Sequence, residues 1–400
     1  MVEQSFREKS FYIYKFLSDC LPIYALYTML FREKGLSITE IALLLSFWSF
    51  VVLLMELPSG ILADRWNRRN MLCIAAVLKA VCYILWCFSD AFAMFGLGFL
   101  FWGIADAFSS GTEEGLLYDH LRSENRESEF SEIYGKGRFF ATLGILVAII
   151  SSGILASFIG ISAISVLSAA ICVVTFIFIY QMREKNYYSE RLKEEKIDYF
   201  KTLFEAVKLC IKNPSMLVNM IFLVFVVSIA DYLDEYDALI IDDFQLGYLW
   251  ISAIFVVRFI FVAIGNRIAH KIEEKFKTKD KGFILAIIAS LLLLIFSVMW
   301  NQYAIPALGV ACMIMAIVDV IQINIIQGEV KEEGRTTVMS IYSMVQNAAM
   351  IVFSLTYALL SSVYGLKMVY VIISIYCMTG AALIYFVNAK VKKYQAKKYL

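Results

Sequence analysis

Several ionisable side chains stand inside long apolar runs of this 400-residue chain: Lys15, Asp19, Lys79, Asp106, Asp231, Arg258 and Asp319. A charge at bilayer depth is costly unless it faces a cavity or a partner, so each can bind a charged solute, exchange a proton or pair structurally. Asp106, Ser110 and Glu113 recur at i, i+4 and i+7, a polar stripe along one face of a helix. Lys15 precedes Asp19 by one turn, a spacing that reads as a pair, and Arg258 has Asp231 as its candidate partner. Asp106 has no basic residue within a turn. It is therefore expected, ahead of Asp19, to exchange a proton or hold a cation, whereas Asp19 suits a structural pair. Gln346 and Asn347, with Tyr232, Tyr236 and Trp250, offer uncharged groups to the same site. The run from Asp231 to Asp243 adds Asp234, Glu235, Asp237 and Asp242, read as an acidic mouth that attracts cations.

The elements that carry these residues follow from composition. Sixty per cent of the chain is apolar and 18% charged, with a mean hydropathy of +0.72. A water-soluble fold has nowhere to place so much apolar surface, and about 20 apolar residues make one span. The windows predict an all-α membrane protein of twelve transmembrane helices. In the first half they lie near 11–31, 40–62, 71–89, 93–118, 135–157 and 160–181. Those of the second half lie near 215–241, 247–269, 282–299, 302–326, 335–361 and 365–388. Two bundles of six, 1–181 and 215–400, flank a polar linker, 182–214, in which Ile197, Phe200, Leu203, Phe204, Val207 and Ile211 form an amphipathic stripe.

Of the 36 Lys and Arg, Arg32, Lys34 and Lys367 fall in outer loops, and Lys15, Lys79 and Arg258 in spans. The rest lie on one side if both termini are cytoplasmic, the bias expected of a multi-pass protein of the cytoplasmic membrane. A polar Met1–Ser10 without a cleavage site leaves the first helix as a retained anchor. The eight cysteines show no CxxC pair, so neither a disulfide framework nor a metal site is expected. A net charge of +1 leaves no basic surface for nucleic acid.

Between the second and third helices stands Gly60-Ile61-Leu62-Ala63-Asp64-Arg65-Trp66-Asn67-Arg68-Arg69. It resembles the signature loop of the major facilitator superfamily, G-x-L-A-D-[RK]-x-G-[RK]-[RK], with Asn67 at the second glycine, a residue that tolerates a left-handed backbone. Gly60 would let a neighbouring helix approach, and Asp64, Arg65, Arg68 and Arg69 would pair across the two halves as a conformational latch. Asp119 and Arg138 flank the inner loop after the fourth helix, with Glu114, and are expected to pair there. The second half echoes the first weakly: Ile268-Ala269-His270-Lys271 matches Leu62-Ala63-Asp64-Arg65, and Gly334-Arg335 matches Gly137-Arg138. Arg335 joins the latch on that ground.

The resemblance implies the facilitator fold, two pseudo-symmetric six-helix bundles whose first, fourth, seventh and tenth helices line a central cavity. Asp19, Asp106, Asp231 and Asp319 fall on those helices, Asp319 nearer a latch than the midplane. It further implies a secondary transporter that alternates access around a midplane site. The short central loop and the Leu-Ala-Asp-Arg sequence look like bacterial drug and metabolite exporters working as proton antiporters. The fifth helix, with only Gly144 and Gly153, lacks their glycine-proline pattern, so import of a nutrient is the rival. Expected partners are a small cationic or amphiphilic substrate, protons or another coupling ion, and the bilayer, around a monomer without a cofactor. No nucleotide-binding loop of the G-x-x-x-x-G-K-[ST] type occurs, which leaves an ion or substrate gradient as the energy source. An embedded enzyme is disfavoured because His120 and His270 both fall in loops, and a non-transporting sensor because no added soluble domain is evident.

Overall fold

The computed structural model describes residues 8–182, 208, 213–275, 280–328 and 335–398, and is helical throughout apart from turns and bends. Most of the expected linker helix lies outside the described residues. Among those described, nine helices are long and apolar enough to cross a bilayer. One of them is two spans in a row, because Arg335–Lys398 turns at Gly365 (φ 73°, ψ 170°). The remaining two of the twelve are the first and seventh, which are broken into pieces too short to register as single spans.

The first span runs as Glu8–Asp19, a 3-10 turn Pro22–Ala25 and a second piece Tyr27–Glu33. Pro22, which has no N–H to donate, sits at the start of that turn. The seventh runs as Pro214–Phe222, a π turn Leu223–Val227, Ser228–Tyr232, a 3-10 turn Leu233–Tyr236 and Asp237–Asp243. Backbone groups freed inside a bilayer need partners from neighbouring helices. In each unit the sixth helix supplies one. Ser168 Oγ accepts from Ile23 N–H (3.2 Å), and the Tyr370 hydroxyl donates to the Leu233 carbonyl (3.5 Å). The second pieces, Tyr27–Glu33 and Asp237–Asp243, each end two residues before a left-handed residue, Gly35 (φ 89°) and Gln245 (φ 56°).

The second and eighth spans are Ile38–Arg65 and Tyr248–Lys275. A capping box starts the second, where Ser37 Oγ accepts from Glu40 N–H and Glu40 returns the bond to Ser37 N–H. The third is Arg68–Phe88, the fifth Phe130–Ile159, the sixth Ile161–Gln181, the ninth Lys281–Met299 and the tenth Ile305–Gly328. Gly160 joins the fifth to the sixth with φ 78° and ψ 158°, the same backbone corner as Gly365. Only glycine occupies that region routinely, so one residue closes each six-helix set.

The expected fourth helix, 93–118, is not continuous. Phe92–Ser109 stops and Thr112–Ser123 begins at Gly111, whose φ of 69° no ordinary helix contains. Glu113 therefore lies in the first turn of a new helix, and the stripe read from Asp106 through Ser110 is interrupted; Ser110 is exposed.

The described residues form two compact units. One holds those of Met1–Lys196 with Leu246–Ala253, the other those of Ile197–Gln245 with Ile254–Leu400. The first is packed around Tyr27, Phe31, Tyr83, Trp86, Phe95, Phe99 and Trp102, all nearly or fully buried, with ring centroids as close as 4.7 Å. Its outward side chains, such as Leu54 and Phe158, are apolar and exposed, as a lipid-facing surface requires.

Candidate functional site

In the first unit the third span carries Lys79 at its middle. Its ammonium reaches Asp106 Oδ1 of the fourth span at 3.0 Å and donates to the Tyr24 hydroxyl at 3.0 Å. Trp48 Nε1 of the second span donates to the other Asp106 oxygen at 3.1 Å. Tyr24 and Trp102 stack at 5.2 Å, and Lys79 Nζ lies 5.7 and 6.0 Å from their ring centroids. A cation held over aromatic faces gains electrostatically from both. The Lys79 and Asp106 side chains are 18% and 26% exposed, so the pair is largely withdrawn from solvent without being sealed.

Asp106 is thus not the unpaired carboxyl that its own helix suggests, since its partner comes from a neighbouring helix. Lys15 likewise does not hold Asp19. Its ammonium meets Glu113 Oε1 at 2.7 Å, and the Tyr14 hydroxyl donates to Glu113 Oε2 at 2.9 Å. A lysine stem spans helices more readily than it curls back along its own. Asp19, half-buried at the end of its helical piece, has no hydrogen bond or ion pair among the described residues. The two lysines are neutralised by Asp106 and Glu113, so Asp19 leaves this cluster one negative charge in excess.

In the second unit Arg258 Nη1 contacts Asp237 Oδ2 at 2.7 Å, a partner the sequence reading did not name. The Asp231 side chain lies outside the described part. Asp237 is fully buried and so does not belong to an acidic mouth. Gln346 Nε2 donates to Ser228 Oγ (3.0 Å) beside the π turn, and the Tyr232 hydroxyl shares a hydrogen bond with Ser354 (2.6 Å). Asn347 is half-buried without a hydrogen bond among the described residues, Asp319 is half-buried, and Trp250 is 48% exposed.

The signature loop joins the second and third spans within the first unit. Asn67 is not left-handed (φ −74°); its side chain accepts from Asn70 N–H at 2.9 Å and caps the third span. Gly60 is exposed, and a Cβ there would meet nothing within 4 Å among the described residues. Arg68 pairs inside its own unit, with Asp119 Oδ2 at 2.7 Å, and crosses the fourth span where Gly115 leaves room; a Cβ there would strike its guanidinium. Arg69 lies 5.1 Å over the Tyr180 ring, and Arg65 is exposed. Glu114 accepts from the Tyr134 hydroxyl at 2.7 Å, while the Arg138 guanidinium is exposed and makes no hydrogen bond or ion pair among the described residues. The side chains of Asp64 and Arg335 lie outside the described part. Beyond the spans, Glu129, Glu8 and Glu124 surround Arg126 and hold its guanidinium well above its usual range.

Sequence reasoning counted Lys79 among the intramembrane charges but gave it no role, and it passed over Tyr14, Tyr24, Trp48 and Trp102. The available signal was Lys79 itself, because a base at mid-span demands an acid. Among the described residues no group of three or more His, Cys, Asp or Glu is arranged to hold a metal ion.

A family model described as Major Facilitator Superfamily matches residues 15–354. Among solved structures, a variant of the nucleoside transporter NupG superposes with a TM-score of 0.81 at 14% identity, over 96% of this chain and 99% of that one. A bacterial homolog of the human lysosomal transporter Spinster, inward-facing and unoccupied, gives 0.74 at 15% identity, over 95% of each chain. A D-xylose-proton symporter gives 0.70 at 12% identity, over 94% of this chain and 95% of that one. No curated protein sequence matches this chain.

Proposed function

The chain belongs to the major facilitator superfamily, and from that premise we propose that it is a proton-coupled secondary transporter whose coupling carboxyl is Asp19. It is a transporter and not an enzyme. The observation that carries the proposal is that Asp19 makes no hydrogen bond or ion pair among the described residues, beside two completed ion pairs. Protonating Asp106 would strand Lys79 as a buried charge, and protonating Glu113 would strand Lys15. Asp19 gains or loses a proton without breaking a pair.

The single excess negative charge and the half-buried Trp48 ring beside it favour a small cationic or amphiphilic substrate. Export by exchange against protons is the direction assigned, on the likeness of the Leu62–Arg65 loop to those of exporters. Proton-driven import is the second reading, favoured by the fold shared with a D-xylose-proton symporter. The Gly60–Arg69 loop serves the conformational step, with Asp64 as its acidic member, and both termini are assigned to the cytoplasm of a cell membrane.

The test is transport in proteoliposomes under an imposed pH gradient of either sign, with tetraphenylphosphonium as cationic probe and neutral amphiphiles beside it. Gradient-driven movement of the cation that disappears in Asp19→Asn, with counterflow retained, supports the proposal. Gradient-driven movement that survives in Asp19→Asn sinks it.

A further inference from the structure

The tenth span, Ile305–Gly328, carries two polar side chains that its packing leaves without partners among the described residues. Asp319 lies within a turn of the middle of the span, half-buried, and makes no hydrogen bond or ion pair there. Gln322, three residues further on, is fully buried, and neither its Oε1 nor its Nε2 has a hydrogen-bond partner. Its amide packs on the start of the ninth span at Gly282, where a Cβ would collide with Nε2. A carboxamide left unbonded in an apolar interior is costly, and that cost points to a group the side chain serves in another state. Arg258 is the base that reaches the tenth span, beside Cys312 and Met315, two turns and one turn before Asp319, in a cavity of about 10 Å³. It is engaged with Asp237 at 2.7 Å. Other charged or titratable groups sit on the elements packed around Asp319. Lys281 of the ninth span donates to the Glu273 carbonyl, Tyr232 of the seventh shares a hydrogen bond with Ser354, and Arg267, His270 and Lys271 are exposed at the end of the eighth. The side chain of Asp231 on the seventh lies outside the described part.

A carboxylate at that depth needs donors, and its acid form needs an acceptor; a carboxamide one turn away offers both. Positions i and i+3 of a helix are neighbours, close enough for a glutamine to bond an aspartate. We propose that Asp319, positioned by Gln322, is a proton-binding carboxyl of the second unit, so that the transporter carries two such sites. Water at its exposed side delivers the proton, and the carboxylate binds it as the neutral acid while Gln322 rests over Gly282, as it does here. When the proton leaves to water, Gln322 Nε2 turns to the carboxylate and donates to it. Gln322 keeps its own protons throughout. The number of two rests on proton exchange at Asp19, whereas the Asp319 site stands by itself.

The experiment needs no substrate. The full chain in lipid nanodiscs is titrated from alkaline to acidic pH, and the protonated-carboxyl infrared band is recorded at each step. Asp319→Asn should remove one component of that band, and Asp19→Asn a different one. Gln322→Leu should keep the Asp319 component but hold its proton about tenfold more tightly, because the charged form loses one hydrogen bond. A packing role alone would leave that midpoint where it is. A band untouched by Asp319→Asn overturns the site, whatever Asp19→Asn does. A band that loses its component in Asp319→Asn but none in Asp19→Asn supports this site and removes the Asp19 reading. An unchanged midpoint in Gln322→Leu overturns the role given to Gln322. If Asp319→Asn does not fold, Asp319→Glu decides: the component should move with the longer side chain, and a spectrum identical to wild type overturns the site.

Discussion

Removing one member of the Lys79–Asp106 pair should harm the protein more than removing both. Asp106→Asn keeps an oxygen to accept from Trp48 Nε1, now 3.1 Å away, but deletes the charge that Lys79 faces at 3.0 Å. An unpaired base at mid-span costs about 3 kcal/mol. Partial exposure, 18% and 26%, places the expected loss nearer 2 kcal/mol, between the values for buried and surface pairs. Lys79→Met keeps a long stem against Tyr24 and Trp102, strands Asp106 instead, and gives up cation–π attraction of about 0.5–1 kcal/mol. The double variant has no buried charge left to satisfy and should lie within about 1 kcal/mol of wild type. Reversible unfolding in mixed micelles, run as a double-mutant cycle, reads the coupling directly. Additive single losses, with a coupling energy below about 0.5 kcal/mol, would refute the reasoning, since such additivity marks groups that do not interact.

Gly160→Ala and Gly365→Ala should each cost about 1–3 kcal/mol in the same unfolding assay, because both residues hold a backbone corner that a Cβ strains; unchanged midpoints would deny the shared corner. Gly115→Ala drives a methyl into the Arg68 guanidinium and should mimic Arg68→Ala in transport rate, with no further loss when the two are combined. Asp64→Asn should slow transport while insertion and expression stay normal; wild-type rates would remove Asp64 from the conformational step. Cysteines placed at Ala91 or Lys367 should react with an impermeant reagent on intact cells, whereas those at Asn67 or Lys275 should not, and labelling at 275 would overturn the orientation.

The helix count was legible because apolar windows and basic loops depend on composition over about 20 residues, which local irregularities barely change. The same averaging hid the breaks. Pro22 was a visible signal for the first span, but the seventh bends through Leu233–Tyr236 without proline or glycine. Gly111 ends the first part of the fourth span through a positive φ that spacing rules for a straight helix cannot register. The repeat was sought in charged loops, where the match of Gly334-Arg335 to Gly137-Arg138 is slight. Its clearer traces are backbone corners at Gly160 and Gly365, and the Ser168 and Tyr370 contacts to broken first helices.

The site was less legible because ion pairs in a helical bundle join helices, not turns. Lys15 passes over Asp19, four residues on, to meet Glu113, 98 residues away. Arg258 takes Asp237 from a segment whose charges looked like an exposed mouth. Spacing cannot foresee such choices, but neutrality constrains them. Each of the bases Lys15, Lys79 and Arg258 must claim an acid if its burial is to be tolerated. Among the carboxylates named from the sequence, those claimed become structural and those left over remain free for chemistry. Asp106 is claimed by Lys79 and further tied by Trp48, so its place at the midplane makes it part of the frame. Asp19 is left over because its nearest base is engaged elsewhere, and on the proposal made above that makes it the proton carrier and not a brace. The ranking of the two aspartates thus turns on Lys79, a residue on a third helix that neither of their own helices reveals.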